Sequence, residues 1–151
     1  MCDSQTIEVE YELDSELAAQ PSRAKDGDSG FDLRSIENSV IPSKSFRVIK
    51  TGVHIALPIG CEAQIRSRSG LAAKRGLFVL NSPGTIDNGY RGELCVIMAN
   101  LGDEDAYIYT GDRIAQLVVQ KINAHMVSFV NRMLDHDTDR SDGGLGSTGT
   151  K

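Results

Sequence analysis

The chain has 151 residues, the size of one domain with a full hydrophobic core, so no second domain is expected. Its 16 basic and 21 acidic residues give a net charge of −5, without the Lys and Arg clusters that would follow a nucleic-acid polymer. No apolar run approaches a bilayer span, and the N-terminus lacks a signal segment. These features predict a cytoplasmic or nuclear protein that is not secreted and has no membrane or nucleic-acid partner.

Apolar residues alternate with a period of two in several stretches, which predicts half-buried strands. The stretches are Ile7 to Leu13, Val53 to Leu57 and Leu94 to Met98, and the last strand is expected at His125 to Val130. Turn residues separate them at short intervals, a rhythm typical of β-sandwiches and barrels. We therefore predict an all-β fold, a jelly-roll-like sandwich or distorted barrel, with one or two short helices and a flexible C-terminal arm.

Local signals predict a short helix over Ser69 to Arg75, with Ser69 as N-cap and Gly76 as the stop. Its free amide groups would favour an anion. A second short helix is possible over Ser15 to Gln20, before Pro21 ends it.

Acidic and basic residues in the first half of the chain form two candidate sites. Asp32, on an expected strand, is a candidate to hold a metal ion, directly or through water. Arg66 and Arg68 lie two apart, so both guanidinium groups could point to one face and converge on a polyanion with Ser69. The alternative is a solvated, basic strand end.

The stretch Thr85 to Glu93 carries an Asn-Gly pair, the strongest short hairpin signal. Asp87 and Tyr90 are expected to flank a two-residue turn and to stand opposite each other across a strand pair. This pairing would bring a carboxylate beside an aromatic ring, near backbone groups that could read a planar ligand. A purely structural hairpin is the alternative.

The chain ends in a glycine-rich stretch, Arg140 to Lys151, that cannot pack a core and is costly to order. Its glycines, with Ser147 and Thr148, could approach a phosphate as a flexible flap. The alternative is an ordinary disordered terminus. We divide the chain into a β domain over residues 1–134 and an arm over residues 135–151.

Taken together, the segments GFDLRS, RSRSGLA, GTIDNGYRGE, GDRIAQLV and RSDGGLGSTG resemble, in order and spacing, the trimeric dUTPase (dUTP diphosphatase) family. The resemblance implies a jelly-roll-like homotrimer with three active sites at subunit boundaries, each closed by a neighbour's arm. It also implies Mg²⁺-dependent hydrolysis of dUTP to dUMP and pyrophosphate, by water attack on the α-phosphate. That reaction limits uracil in DNA and supplies dUMP for thymidylate synthesis.

The same resemblance implies the roles of individual residues. Asp87 matches the carboxylate that activates the attacking water, and Asp32 matches the residue that reaches Mg²⁺ through water. Tyr90 matches the ring under the deoxyribose, and Arg140 the clamp on the γ-phosphate. The implied substrate-binding residues are Arg68, Ser69, Gly70, Asn81, Gly84, Ile86, Tyr90, Gln116, Arg140, Leu145, Gly146, Ser147 and Thr148.

Two departures from the family pattern fall in the arm. Leu145 stands where an aromatic ring usually stacks on uracil, and Ser141 where glycine is common. Leu145 keeps open a regulatory or binding protein on the same scaffold, with the nucleotide as a switch. An enzymatic alternative is a dCTP deaminase of the same fold, although that family's catalytic glutamate pattern is missing.

Overall fold

A computed structural model of the chain describes residues 6–133, in which strands dominate. It contains eleven strands, one α-helix and a short 3₁₀ helix, so the predicted all-β character is confirmed. The elements are β1 Glu10–Leu13, β2 Phe31–Arg34, β3 Ser39–Ile41, β4 Ser45–Ile49, β5 Val53–Ala56, β6 Cys61–Arg66, α1 Ser69–Arg75, β7 Leu77–Val79, β8 Gly84–Ile86, β9 Val96–Asn100, β10 Ala106–Ile108, β11 Arg113–Lys121 and the 3₁₀ helix Ala124–Met126.

The strands form four separate antiparallel sheets. The largest has the order β2-β11-β6-β8, and a three-stranded sheet has the order β4-β9-β7. Two further pairs join β1 to β5 and β10 to β3. Every sheet is open, so the sandwich is the correct form of the prediction and a closed barrel is not formed by residues 6–133. The central strands β11 and β6 of the largest sheet carry the site described below.

The core lies between the two largest sheets. Ile65 and Leu117 project into it from β6 and β11, while Leu77 and Met98 project from β7 and β9. All four are at most 4% exposed, and each buried side chain of this size contributes roughly 1.5–3 kcal/mol to stability. Alternate residues of β6 are buried and half-buried, as a strand with one face on the core requires.

The predicted strands at Val53 to Leu57 and Leu94 to Met98 are confirmed in their central residues, which are buried and paired. The stretch Ile7 to Leu13 pairs only at Glu10–Leu13. All four of those residues are exposed, and among residues 6–133 the edge strand β1 pairs with β5 alone.

The predicted strand at His125 to Val130 is wrong. The chain turns through the 3₁₀ helix Ala124–Met126 and continues without strand pairing to residue 133. An alternating pattern forms a strand only where another strand offers its backbone groups. No strand of residues 6–133 pairs with this segment, and Phe129 is 98% exposed.

The predicted helix is confirmed with the same bounds, Ser69–Arg75. Gly76 ends it in the left-handed conformation, φ 63°, and its amide donates to the Ala72 carbonyl. One detail is wrong, because the N-cap is Arg68 and Ser69 is the first helical residue. Within residues 6–133, no helix combines the length and apolar character needed to cross a membrane.

The second predicted helix, Ser15 to Gln20, is also wrong. The segment makes one turn, in which the Ala18 amide donates to the Ser15 carbonyl at 3.1 Å. The segment is only six residues long before Pro21 ends it, too short to offset the cost of helix nucleation without packing.

Candidate functional site

A pocket of about 320 Å³ lies where β2, β6 and β11 meet the start of α1. Five of the residues implied as site residues line it, and all five come from the first, second and fourth motifs. They are Asp32, Arg68, Ser69, Gly70 and Gln116, together with Ala24, Asp28, Ser29, Gly30 and Arg113.

Asp32 is the electrostatic centre of this pocket. It sits on β2, and its side chain is only 14% exposed. Its Oδ1 lies 3.4 Å from Arg68 Nε, and its Oδ2 lies 3.2 Å from Arg113 Nη1. Two guanidinium groups therefore face one carboxylate, which leaves positive charge available to an incoming anion.

Arg113 is a pocket residue that the sequence analysis did not single out. It begins β11, and the pairing of β11 with β2 shifts between Arg113 and Ala115. Such an irregularity re-aims the side chains beside it. The sequence did contain a signal for this residue, because Arg113 is the one basic residue of the segment GDRIAQLV.

Arg68 joins β6 to α1 and is held from two sides. Its Nη1 donates to the Arg113 carbonyl at 2.8 Å while Nε faces Asp32. Ser69 and Gly70 follow as the first residues of α1, whose amide groups have no acceptor within the helix. A guanidinium and free amide donors thus lie side by side at the pocket wall.

Gln116 occupies the centre of the four-stranded sheet, between Asp32 on β2 and Arg66 on β6. Its Nε2 donates to the Ser67 carbonyl at 2.9 Å. A Cβ at Gly30 would overlap Gln116 Oε1, so glycine is required there for the amide to lie in the pocket.

The predicted convergence of Arg66 and Arg68 on one anion is wrong. Strand β6 ends at Arg66, so the two-residue alternation does not extend to Arg68. The Arg66 guanidinium turns back along the strand and donates to Gln64 Oε1 through Nε at 3.0 Å and Nη2 at 2.7 Å. Arg66 therefore does not line the pocket.

The remaining described residues of the candidate site lie between β7 and β8, on β8 and in the following turn. The turn at Asn88-Gly89 is confirmed, because the Tyr90 amide donates to the Asp87 carbonyl at 3.0 Å. The strand pair is wrong, since β8 pairs with β6 while β9 pairs with β4 and β7. Neither Asn88 nor Gly89 has the positive φ that a two-residue hairpin turn requires, so the chain diverges.

Tyr90 lies at the end of this turn and is 44% exposed. Its hydroxyl donates to the Glu93 carbonyl at 3.0 Å. A Cβ at Gly92 would overlap the phenol ring, so the ring is packed directly on the Gly92 backbone. The aromatic surface is thus fixed by its own turn and remains accessible.

Asn81, Gly84 and Ile86 precede the turn. The exposed Asn81 side chain lies against Gly84, where an added Cβ would stand 3.0 Å from Asn81 Nδ2. Ile86 is half-buried and packs on the core, which anchors the end of β8.

Within one chain, Asp87 and Arg68 lie toward opposite ends of strand β6. Ile86 pairs with Ala63, so Asp87 continues toward the N-terminal end of β6. Arg68 lies beyond the opposite end of β6. Ala63 and Arg66 are three positions apart, a distance of about 10 Å at the usual rise of a strand, and both Asp87 and Arg68 lie further out.

The implied arm residues Arg140, Leu145, Gly146, Ser147 and Thr148 lie outside the described residues, as does the domain boundary after residue 134.

Residues 16–149 match the protein family described as dUTPase. The chain belongs to the dUTPase family. The deoxyuridine 5'-triphosphate nucleotidohydrolase of Hydrogenobaculum sp. is 50% identical over 137 residues, which cover 90% of this chain and 94% of that protein. The enzyme of the same name from Helicobacter pylori is 48% identical over 129 residues, covering 85% and 88%.

Solved dUTPase structures have the same fold. The dUTPase of Staphylococcus bacteriophage 80alpha with dUpNHpp has a TM-score of 0.83 at 27% identity, covering 95% of this chain and 99% of that one. A mutant dUTPase of phage phi11 of S. aureus has a TM-score of 0.75 at 26% identity, covering 87% and 99%. The predicted family and the jelly-roll-like fold are therefore confirmed.

Proposed function

We propose that this chain hydrolyses dUTP to dUMP and pyrophosphate, the activity for which its curated dUTPase relatives are named. The observation that carries the proposal is the pocket in which Arg68, Arg113 and Gln116 surround Asp32 beside the start of α1. Two guanidinium groups, a side-chain amide and the free amide groups of the helix start can all donate to phosphate oxygens. In a member of the dUTPase family, the triphosphate of dUTP is the ligand that this set of donors suits. The dCTP deaminase alternative is set aside because the relatives are dUTP nucleotidohydrolases.

Both guanidinium groups of the pocket can turn from Asp32 to a phosphate. Their distances to the carboxylate, 3.4 Å and 3.2 Å, are longer than those of strong charge-assisted hydrogen bonds, about 2.7–2.9 Å. Ser69 and Gly70 would add amide donors, and Gln116 a side-chain amide.

A Mg²⁺ ion fits the donor set of this pocket. Within residues 6–133 no three metal-ligating side chains lie together, and Mg²⁺ typically binds with one or two carboxylates, several waters and substrate phosphates. The phi11 dUTPase structure is described as revealing the coordination of a structural Mg(II) ion. We propose that Asp32 would hold Mg²⁺ through water, where the ion would neutralise charge on the phosphates.

Asp87 is the proposed general base. Its exposed carboxylate would orient a water molecule for in-line attack on the α-phosphorus and accept its proton, while the bond from that phosphorus to the bridging oxygen breaks and pyrophosphate leaves. Tyr90 would pack under the deoxyribose, where the 2′-hydroxyl of UTP would collide. Asn81, Gly84 and Ile86 would form the uracil side of the site.

The separation of Asp87 from Arg68 supports a site shared between copies of the chain. The α-phosphorus lies between the sugar and the outer phosphates, so one dUTP molecule must contact both groups. Because they lie at opposite ends of β6, a second copy must supply one of them. A homotrimer with active sites at its subunit boundaries meets this requirement.

Exposed apolar surface also supports assembly. The outer face of the β4-β9-β7 sheet carries Phe46 and Val48, which are 52% and 54% exposed, beside the half-buried Phe78 and Ile97. An antiparallel sheet with one face on the core usually has a polar outer face. The unpaired segment after the 3₁₀ helix adds Phe129. Such surfaces are typical of subunit contacts.

We predict that Phe129→Asp weakens the trimer without destabilising the subunit. Because Phe129 is 98% exposed within its own chain, its replacement costs no packing there, whereas an interface loses roughly 1.5–3 kcal/mol per buried copy. Sedimentation analysis should show smaller species at concentrations where the parent is trimeric. Ile59→Asp, 89% exposed in another turn, is the matched control. Unchanged mass for Phe129→Asp would contradict its place in the interface.

Pyrophosphate release measured across dUTP, dCTP, dTTP and UTP with Mg²⁺ tests the proposed function. Turnover of dUTP should exceed that of the other three nucleotides, because Tyr90 excludes the 2′-hydroxyl and the turn after β8 excludes the thymine methyl. Ammonia release from dCTP at a comparable rate would instead establish deamination.

A regulatory function is the second candidate. The phage 80alpha dUTPase structure is described in terms of phage dUTPases that control transfer of virulence genes by a G protein-like mechanism. The present chain shares its fold, but its relatives at 48% and 50% identity are named as hydrolases. A parent protein that binds dUTP with Mg²⁺ yet does not cleave it would favour the regulatory function.

A further inference from the structure

We propose that His54 is a positioning residue for the Tyr90 turn, because its protonated imidazole ring links the Arg91 carbonyl of that turn to the Asp14 carboxylate. This inference rests on the proposed role of Tyr90 in dUTP binding.

The contacts of His54 select the protonated ring. Its Nδ1 lies 2.9 Å from the Arg91 carbonyl oxygen, and its Nε2 lies 3.0 Å from Asp14 Oδ1. A carbonyl and an ionised carboxylate only accept hydrogen bonds, while a neutral imidazole carries a single N–H. Only the imidazolium can donate toward both oxygens, because a neutral ring that keeps Nδ1–H on the Arg91 carbonyl turns the lone pair of Nε2 toward the Asp14 carboxylate. The Nε2 contact lacks good hydrogen-bond alignment, so charge attraction carries it.

The surroundings of His54 are mainly acidic. The hydrogen bond to the Arg91 carbonyl, followed by the contact with Asp14, raises the pKa of His54 above its ordinary value, and desolvation opposes this. The Arg91 guanidinium, the one basic group beside the ring among the groups named below, donates to the Asn88 and Tyr90 carbonyls. The titratable and charged groups facing the ring are Glu10, Glu12 and Asp14 from β1 and the residue after it, and Arg91 and Glu93 from the segment after the turn.

His54 belongs to a set of contacts that attach the Tyr90 turn to the start of β5. The Glu93 carboxylate accepts from the Thr51 amide at 3.1 Å and the Gly52 amide at 2.8 Å, and the Glu93 carbonyl accepts from the Tyr90 hydroxyl. Asp87, in contrast, directly follows β8, which is paired with β6. Loss of the His54 contact should therefore displace Tyr90 more than Asp87, and weaken nucleotide binding more than the chemical step.

The direction of the pH effect follows from the raised pKa. The stabilisation that the protonated ring gives to the link between Asp14 and Arg91 is complete below the ordinary pKa of histidine. It is lost as the pH rises through the folded-state pKa of His54. Nucleotide affinity should fall over the same interval.

The test is the Kd of the full-length protein for dUpNHpp with Mg²⁺, measured between about pH 5 and 8, where histidine titrates. The ratio of the His54→Ala value to the parent value cancels the titration of the nucleotide's own phosphates. We expect a ratio of about fivefold at the acid end, which falls as the ring deprotonates, with kcat changed less than about twofold.

Asp14→Asn gives the opposite signature. An asparagine amide can donate to the unprotonated Nε2 while Nδ1–H donates to the Arg91 carbonyl, so a neutral ring satisfies both contacts. Affinity should then persist to higher pH, and the NMR titration midpoint of His54 should fall. Glu12→Gln, which removes the carboxylate directly across the strand pair from His54 but leaves Asp14 in place, is the matched control.

A His54→Ala ratio that is flat with pH would overturn the proposal, as would an Asp14→Asn profile identical to that of Glu12→Gln. The NMR titration separates this result from the proposed function. If the parent protein neither binds dUpNHpp nor cleaves dUTP, the function fails, while a His54 midpoint above its ordinary value that falls in Asp14→Asn still supports the protonation-dependent contact. A parent midpoint at or below the ordinary value refutes it.

Discussion

Replacement of Asp87 by asparagine should abolish pyrophosphate release from dUTP while the nucleotide still binds. Asparagine preserves the shape of the side chain but cannot accept the proton of the attacking water. General-base groups of this kind typically contribute about 10²–10⁴-fold to the rate, so kcat should fall by that order. The donors in the phosphate pocket, Arg68, Arg113 and Gln116, are untouched by the change.

The measurement pairs single-turnover pyrophosphate release with the Kd for dUpNHpp. A matched control is Asp103→Asn, which neutralises an exposed aspartate that pairs with Lys44 at 2.9 Å in a surface loop. Exposed ion pairs contribute little, so this control should retain the parent kcat. Substantial turnover by Asp87→Asn would assign the base elsewhere, and lost binding would show that Asp87 acts in substrate recognition.

Deletion of Arg140 to Lys151 should leave a folded, assembled protein whose turnover of dUTP is lower by about 10²-fold or more, the size of effect that mispositioned reacting groups produce. The buried apolar core of the described residues runs from Leu33 to Leu117, so it lies entirely before this stretch. The glycine-rich sequence is costly to order, and the proposed contacts with the substrate phosphates would offset that cost.

Thermal unfolding and sedimentation should match the parent for the truncated chain, while kcat/KM falls. Arg140→Ala in the full-length chain separates the effect of the Arg140 charge from the effect of covering the substrate. The substitution removes the proposed γ-phosphate clamp but keeps the glycine-rich stretch. A truncated protein that no longer unfolds cooperatively would mean that the segment serves the fold. Unchanged turnover would mean that the active site needs no arm.

Helix α1 illustrates what local sequence predicts well. Good helix formers, basic residues in the last turn and Gly76 as a left-handed stop all act within one short segment, and the structure has the predicted bounds. The turn at Asn88-Gly89 is likewise local, and it forms. The strands on either side of this turn, β8 and β9, do not pair with each other, because β8 pairs with β6 and β9 pairs with β7 in another sheet.

The site shows the same division between local and distant information. Asp32, Arg68 and Gln116 could be chosen from motifs, and the structure brings them into one pocket. Arg113 was missed because its role depends on an irregular pairing of β11 with β2. Arg66 was wrongly included because alternation along β6 was extended past the residue where pairing ends.

The amino-acid sequence by itself determined the family, the all-β class, the short helix and the residue types available for chemistry, because motifs and periodicity are local properties of the chain. Only the tertiary structure decided which strand β8 joins, that two guanidinium groups face Asp32, and that Asp87 and Arg68 lie at opposite ends of β6 within one chain. A two-residue period reports that one face of a strand is buried, but the choice of partner depends on packing between distant segments.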